Sequence, residues 1–305
     1  MSLSESTQLP DLPSTPVQIL RMLWRDKSAC IAAIFILIVV CCALTGPLLL
    51  EDIATKQNLR GRNAPPFDFS KTWTFWLGGD ALGRPLLARI MVAASNTMMV
   101  AAGAVLCSLL IGTTLGLIAG YTSKLTSQII MRLADVIMSF PSLLLAVIVL
   151  YMLPASVTNL IIVLAITRIP VYLRTARAEV LEVRERMFVQ AARVMGASTP
   201  GIIYRHILPV VFPTLLTIAT LDFAFVMLAE SSLSFLGIGI QPPEITWGLM
   251  VAQGRSYLTS AWWLSFWPGL AIIFTTLSLN LLSNWMRVAL DPQQRWRLEM
   301  AKPND

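Results

Sequence analysis

The chain is poor in most of what soluble chemistry needs. It holds a single histidine, His206, and four cysteines in 305 residues. Cys30, Cys41, Cys42 and Cys107 all lie inside apolar runs and make no CxxC pair, which argues against a zinc site or a disulfide framework. Lysine is scarce, and none of Lys27, Lys56, Lys71, Lys124 and Lys302 directly follows a glycine, as a phosphate-cradling GxxxxGK[ST] loop requires. Only 13% of residues are charged, and the net charge of +6 rests on those few sites. An acidic disordered chain and a nucleic-acid binder both fit poorly with that balance. What is abundant is apolar: 56% of residues are hydrophobic and the mean hydropathy is +0.69, a membrane-protein composition.

A helix crosses the roughly 30 Å hydrocarbon layer in about 20 residues, and six stretches meet or approach that length. Ser28–Leu50 follows Arg21, Arg25 and Lys27 and has no small-x-small cleavage pattern at its end, so it reads as an uncleaved anchor. Met91–Tyr121 has no charge and carries Gly112, Gly116 and Gly120 at four-residue spacing, a stripe suited to close helix packing. Ile129–Leu153 contains Arg132 and Asp135, three apart on one face and expected to pair locally, with Pro141 further on. Val157–Leu173 is short and interrupted by Arg168 and Pro170. Ile207–Leu236 is the fifth span; Ala261–Met286 is the sixth and opens on the interfacial aromatics Trp262, Trp263, Phe266 and Trp267.

The expected architecture is an all-α membrane protein with six transmembrane helices. Lys/Arg placement orients it: with the N-terminus inside, the cytoplasmic side holds fourteen and the other side seven, six of them in 51–90. Both termini are therefore expected in the cytoplasm. The chain divides into a tail at 1–27, a first helix at 28–50, an extracytoplasmic loop at 51–90, a core at 91–288 containing a cytoplasmic loop at 174–206, and a tail at 289–305. The outer loop is rich in Gly and Pro. The inner one has apolar residues at helical intervals, broken by Gly196 and Pro200 into two short helices.

That inner loop holds Gln190-Ala191-Ala192-Arg193-Val194-Met195-Gly196-Ala197-Ser198, then His206-Ile207-Leu208-Pro209. A small-residue helix, a glycine turn, a second helix and a proline before the fifth span make a knob that fits another protein's groove. The arrangement resembles the EAA loop of binding-protein-dependent ABC importer permeases, with Gln190 where the pattern has glutamate. Leu221-Asp222-Phe223-Ala224, Glu230-Ser231-Ser232-Leu233-Ser234-Phe235-Leu236-Gly237, Gln241-Pro242-Pro243 and Trp247-Gly248 narrow the resemblance. They are similar to the C-type subunit of the dipeptide/oligopeptide/nickel family, as are Gly78-Gly79-Asp80, Gly83-Arg84 and Arg89, with Gly79, Pro85 and Ala88 replacing the family's Thr, Asp and Ser.

The resemblance implies a type I importer permease fold and transport of a di- or oligopeptide across the inner membrane. The same family also handles nickel complexes, glutathione and opines. It implies a second permease subunit, two ABC ATPases that bind ATP and Mg, an extracytoplasmic solute-binding protein, and surrounding lipid. No cofactor, metal or catalytic residue is expected in this chain, nor any nucleic-acid partner. Gln190, Ala191, Ala192, Gly196, Ala197, Ser198, His206 and Pro209 would couple to the ATPases.

Asp222 and Glu230 are costly at membrane depth unless paired or facing water. They line the path or gate, or else pair structurally with Arg132 or Arg168. Pro242, Pro243, Trp247 and Gly248 form a stiff outward loop with an aromatic anchor that docks the binding protein or plugs the pore, or is merely rigid. The rival of another class is a proton-coupled secondary transporter relaying through Asp135, Arg168, Asp222 and Glu230. It leaves the EAA-like loop without a purpose.

Overall fold

The computed structural model describes residues 16–290; the tail segments 1–15 and 291–305 lie outside the described residues. Helix α1 (Pro16–Arg25) turns into α2 (Lys27–Thr55) at Asp26. The Asp26 carboxylate accepts from Ser28 N and Ala29 N, each at 3.1 Å, satisfying two of the four N–H groups that a helix start leaves open. Helix α2 buries a stripe of mostly small residues, Ala29, Ala32, Val39, Ala43, Gly46 and Leu50, and leaves Ile31, Leu37, Leu44, Leu48 and Leu49 on the outside. Lipid is as apolar as leucine, so contact area alone holds no helices together there; small residues permit the close approach that does.

Helix α3 (Leu86–Tyr121) and helix α6 (Val157–Val183) form the central pair. A Cβ at Gly116 would stand 2.6 Å from Ala176 Cβ and 2.7 Å from Leu173 O, and one at Gly112 2.6 Å from Tyr172 Cβ. The glycine stripe is thus a packing face within this subunit. Helix α6 runs straight through Pro170 and ten residues past Leu173, so the expected fourth span was too short. The Arg168, Pro170 and Arg174 interruptions read as an end in a hydropathy count, while the backbone simply continues.

The expected third span is broken. Helix α4 (Lys124–Met138) and helix α5 (Ser142–Met152) meet at 83° across Ser139–Pro141. Pro141 has no N–H to give and disfavours helical backbone at Phe140, which ends α4. Among the described residues five helices are long and apolar enough to cross a membrane, and the bent pair makes six if taken as one span. The local Arg132–Asp135 pair is corrected as well. Asp135 instead accepts from Arg174 Nη2 on α6 at 2.5 Å, and Arg132 is exposed.

After α6 come α7 (Met187–Val194) and the single turn α8 (Thr199–Ile202). A π turn over Ile203–Ile207 then feeds α9 (Leu208–Phe235). Helix α10 (Trp247–Gly254) is short, and α11 (Trp263–Leu290) closes the bundle. Trp262, Phe266 and Trp267 stack edge to face with centroids 5.2 and 5.1 Å apart.

The irregular segment is 56–85, shorter than the expected 51–90 because α2 runs on to Thr55 and α3 already starts at Leu86; it has 3-10 turns at Leu59–Gly61 and Trp73–Phe75. One carboxylate gathers its C-terminal part. Asp80 Oδ1 accepts from Leu82 N at 2.9 Å and Arg84 N at 2.7 Å, while Oδ2 accepts from Arg84 Nε at 2.7 Å and from Arg89 Nη1. Asp80 and Arg89 are buried; removing Asp80 would strand Arg89 without water, whereas Asp80 without Arg89 would keep Arg84.

Candidate functional site

Helix α7 is held by two side chains. Val189 and Ala192, three apart, are buried in a cluster with Val180, Val183, Ile202 and Ile207. The opposite side is bare: Met187, Val194 and Met195 are each more than 80% exposed, and Gln190, Ala191 and Arg193 are exposed beside them. Gly196 ends the helix at φ +82°, with Gly196 N donating to Arg193 O and Ala197 N to Ala192 O, each at 3.1 Å. That left-handed turn is closed to most side-chain-bearing residues. Ser198 then caps the next turn, accepting from Gly201 N at 3.4 Å.

Three arginines tie the end of α6 and the knob that follows it to the rest of the bundle. Arg193 Nη2 donates to Tyr121 Oη at 3.1 Å with its guanidinium over the ring, Arg184 Nη1 donates to Gly120 O at 3.0 Å, and Arg177 Nε donates to Ser127 Oγ at 2.9 Å. All the receiving groups sit at the end of α3 or the start of α4. Gln190, at the position of the pattern's glutamate, donates from Nε2 to Glu185 O at 3.1 Å, a donation an ionised carboxylate could not make. Ala197 and Ser198 are exposed after the turn; His206 is half-buried in the π turn, and Pro209 is exposed in the first turn of α9.

The carboxylates Asp222 and Glu230 lie on α9, both buried, in different settings. Asp222 receives a fork from Arg168 on α6: Nε donates to Oδ2 at 3.1 Å and Nη2 donates to Oδ1. The same guanidinium stands 4.4 Å from the Phe225 ring centroid. Ser142 and Leu143, at the start of α5, lie beside Arg168, so the α4–α5 break abuts the pair. Among the described residues Glu230 makes no ion pair; Oε1 accepts from Ser234 Oγ at 2.7 Å and Oε2 from Ser231 Oγ at 3.3 Å.

The outward loop divides. Pro242 and Pro243 are exposed, whereas Trp247 and Gly248 are buried. Trp247 Nε1 donates to Ile90 O at 2.9 Å, its backbone N donates to Thr97 Oγ1 at 3.2 Å, and a Cβ on Gly248 would sit 2.5 Å from Ser231 Cα. The expected aromatic anchor faces the α3–α9 core, because the indole fills a site between elements that sequence separation hides.

Several contributors escaped the sequence reading. Tyr121, Ser127 and the Gly120 carbonyl secure the knob from 50 to 72 residues away, and nothing in composition or period marks such pairs. The exposed apolar run Met187, Val194 and Met195 could have been found, since these residues fall outside the Val189/Ala192 stripe.

A helical bundle of five to six apolar spans with a stiff, apolar-tipped helix at one end is a membrane permease in build. Residues 112–296 match the family described as the binding-protein-dependent transport system inner membrane component, and the chain belongs to that family. It is a multi-pass inner-membrane protein. The di/tripeptide transport system permease protein of Pseudomonas aeruginosa is 36% identical over 88% of this chain and 89% of its own. A probable D,D-dipeptide transport system permease protein of Escherichia coli is 34% identical over 90% and 91%. The glutathione transport system permease protein of Pectobacterium atrosepticum is 34% identical over 90% and 89%.

Proposed function

We propose that this chain is the permease subunit of an ATP-driven importer of di- or oligopeptides. It works beside a second permease, two ABC ATPases that bind ATP and Mg and carry out the hydrolysis, and an extracytoplasmic solute-binding protein. The supporting observation is the α7 knob: an apolar, solvent-exposed tip on a helix whose other face is locked into the bundle. Such a tip suits a partner's groove. The names of the relatives, most of them peptide permeases, favour peptide as the cargo.

Gln190, Ala191, Ala192, Gly196, Ala197, Ser198, His206 and Pro209 would form or support the ATPase-coupling surface, on the cytoplasmic side with both termini. No atom of this chain is needed for covalent chemistry. ATP binding would draw the knobs of the paired permeases together and shift the bundle between its two facing states. Asp222, paired with Arg168, and Glu230 would serve the gate. Pro242 and Pro243 remain available for docking the binding protein.

The test is affinity purification of the tagged subunit from its native membrane, then ATPase and uptake assays in nanodiscs and liposomes. Two ATPases and a second permease should co-purify, and a loaded binding protein should stimulate hydrolysis. A panel of di- and tripeptides with glutathione identifies the cargo. Recovery of the subunit alone, with uptake driven by a proton gradient, would replace this reading with the secondary transporter.

A further inference from the structure

A cavity of about 290 Å³ opens between the 80–89 segment, α10 and the start of α11. Its walls include Leu86, Met250, Tyr257 and Leu264, and its polar wall is Asp80, Arg84, Arg89 and Gln253. The charges do not balance. Asp80 is the one carboxylate on the wall, and all four of its bonds go to Arg84, Arg89 and the backbone of their own segment. Two guanidiniums against one carboxylate leave an excess of one positive charge beside an apolar hollow, on a side chain that is 3% exposed.

The excess has a direction. Arg89 spends Nη1 on Asp80, its Nε has no hydrogen-bond partner, and its Nη2 has only a 3.5 Å contact with Gln253 Oε1. Nε–H and Nη2–H are the parallel donors of one guanidinium edge, the fork that matches the two oxygens of a carboxylate. A buried donor without a partner costs more than the same donor bonded. Gln253 is exposed and holds the edge only by a long, neutral contact, so an anion can displace it.

We propose that this cavity binds a carboxylate borne by a single apolar residue, as at the C-terminus of a short peptide. Arg89 receives the carboxylate on its Nε/Nη2 edge, Gln253 is the neutral placeholder that swings aside, and the Leu86–Met250–Leu264 wall takes the apolar side chain. The volume of about 290 Å³ lies just under the roughly 300 Å³ at which small-ligand sites start, so it admits one residue rather than a chain. The single unpaired edge and the excess of one charge suit a monoanion better than a phosphate dianion. The choice of a peptide as the source of the carboxylate rests on the transport reading above; the carboxylate site itself does not.

The experiment is a titration of the subunit, with whatever co-purifies, in nanodiscs without binding protein or ATP. The probes are the dipeptide Ala-Leu and its C-terminal amide, followed by saturation-transfer NMR. The free acid should bind about ten- to a hundredfold more tightly than the amide, the span of a charge-assisted hydrogen bond. Gln253→Glu, which lays the chain's own carboxylate on the fork, should lose the free acid to a similar degree while keeping the fold. Gln253→Ala should bind it as well as the parent or better. Equal binding of acid and amide, no binding of either, or undiminished binding by Gln253→Glu overturns the proposal. None of these readouts uses ATP, so failure of the importer reading shows up separately, in the uptake assay.

Discussion

Asp222→Leu should destabilise the bundle strongly, and adding Arg168→Leu should restore most of the loss. Breaking a buried ion pair by removing one member costs about 3–5 kcal/mol, because the survivor is left charged without a partner. Two features of this site reduce that. The Arg168 side chain is 17% exposed, so some water reaches it, and its guanidinium keeps the Phe225 ring at 4.4 Å. The cation–π contact retains about 1–2 kcal/mol at a desolvated site. The single variant should therefore lose about 2–3 kcal/mol. The double variant buries two apolar side chains where two charges stood, an exchange that is often neutral or favourable, and should lie within about 1 kcal/mol of the parent. The assay is the yield and thermal midpoint of the assembled complex in nanodiscs, compared across the parent, both single variants and the double. A double variant as unstable as the worse single variant would refute the pair as a unit of stability. Uptake by the stable double variant then decides the second question: a wild-type rate removes any gating role, and a stable but inactive protein supports it.

The other perturbations follow the same logic. Gly196→Val should leave assembly near normal yet abolish stimulation of ATPase activity by loaded binding protein. Nothing lies within 4 Å of a Cβ there, so the effect is the roughly 1–2 kcal/mol of left-handed backbone strain acting on the α7 end; Gly196→Asn, which tolerates that conformation, should retain more coupling in the same assay. Gly116→Leu should block α3–α6 packing and remove the protein from the membrane fraction, whereas Gly269→Ala on α11, with open space around its Cβ, should be neutral or gain up to about 1 kcal/mol in thermal midpoint. Met195→Asp, at a side chain 84% exposed, should leave the subunit's stability unchanged and weaken co-purification of the ATPases; full recovery of the ATPases would count against the knob as their contact.

Local pattern made the spans and the knob legible. The glycine stripe and the Gly196 turn each depend on residues a few positions apart, and each stands where spacing placed it. What the pattern missed depends on partners distant in sequence. Asp135 was expected to take Arg132, its neighbour on the helix, but α4 is turned so that Arg174 on α6 reaches it instead. Trp247 looked like an exposed anchor because it follows two prolines, and only the meeting of α10 with α3 gives its indole N–H the Ile90 carbonyl. The α4–α5 break was visible as Pro141 and still passed as one span, since hydropathy averages through a single residue and backbone geometry does not.

Those partnerships also show how a load on the knob would reach the membrane interior. Helix α6 runs unbroken from Val157 to Val183, and the chain from Thr199 through the π turn into α9 is helical throughout. Arg168 lies fifteen residues before the end of α6 nearest the knob and Asp222 fourteen after the start of α9, about 21–23 Å along each helix at 1.5 Å per residue. Both rods leave the same buried cluster under α7, and the ion pair is a polar link between them deep in the bundle. A displacement of α7 that moved both rods together would leave the pair untouched, and only a differential movement would strain it. The α3 contact to α6 through Gly112, Gly116 and Gly120 is close enough to hold α6 rigidly against its neighbour. Helix α9 has the π turn at its base, a place where a helix can change its winding without losing its hydrogen bonds. Differential movement is therefore expected to come from α9, with α6 as the fixed post, and spin labels on α9 should shift relative to α3 on ATP binding while labels on α6 do not.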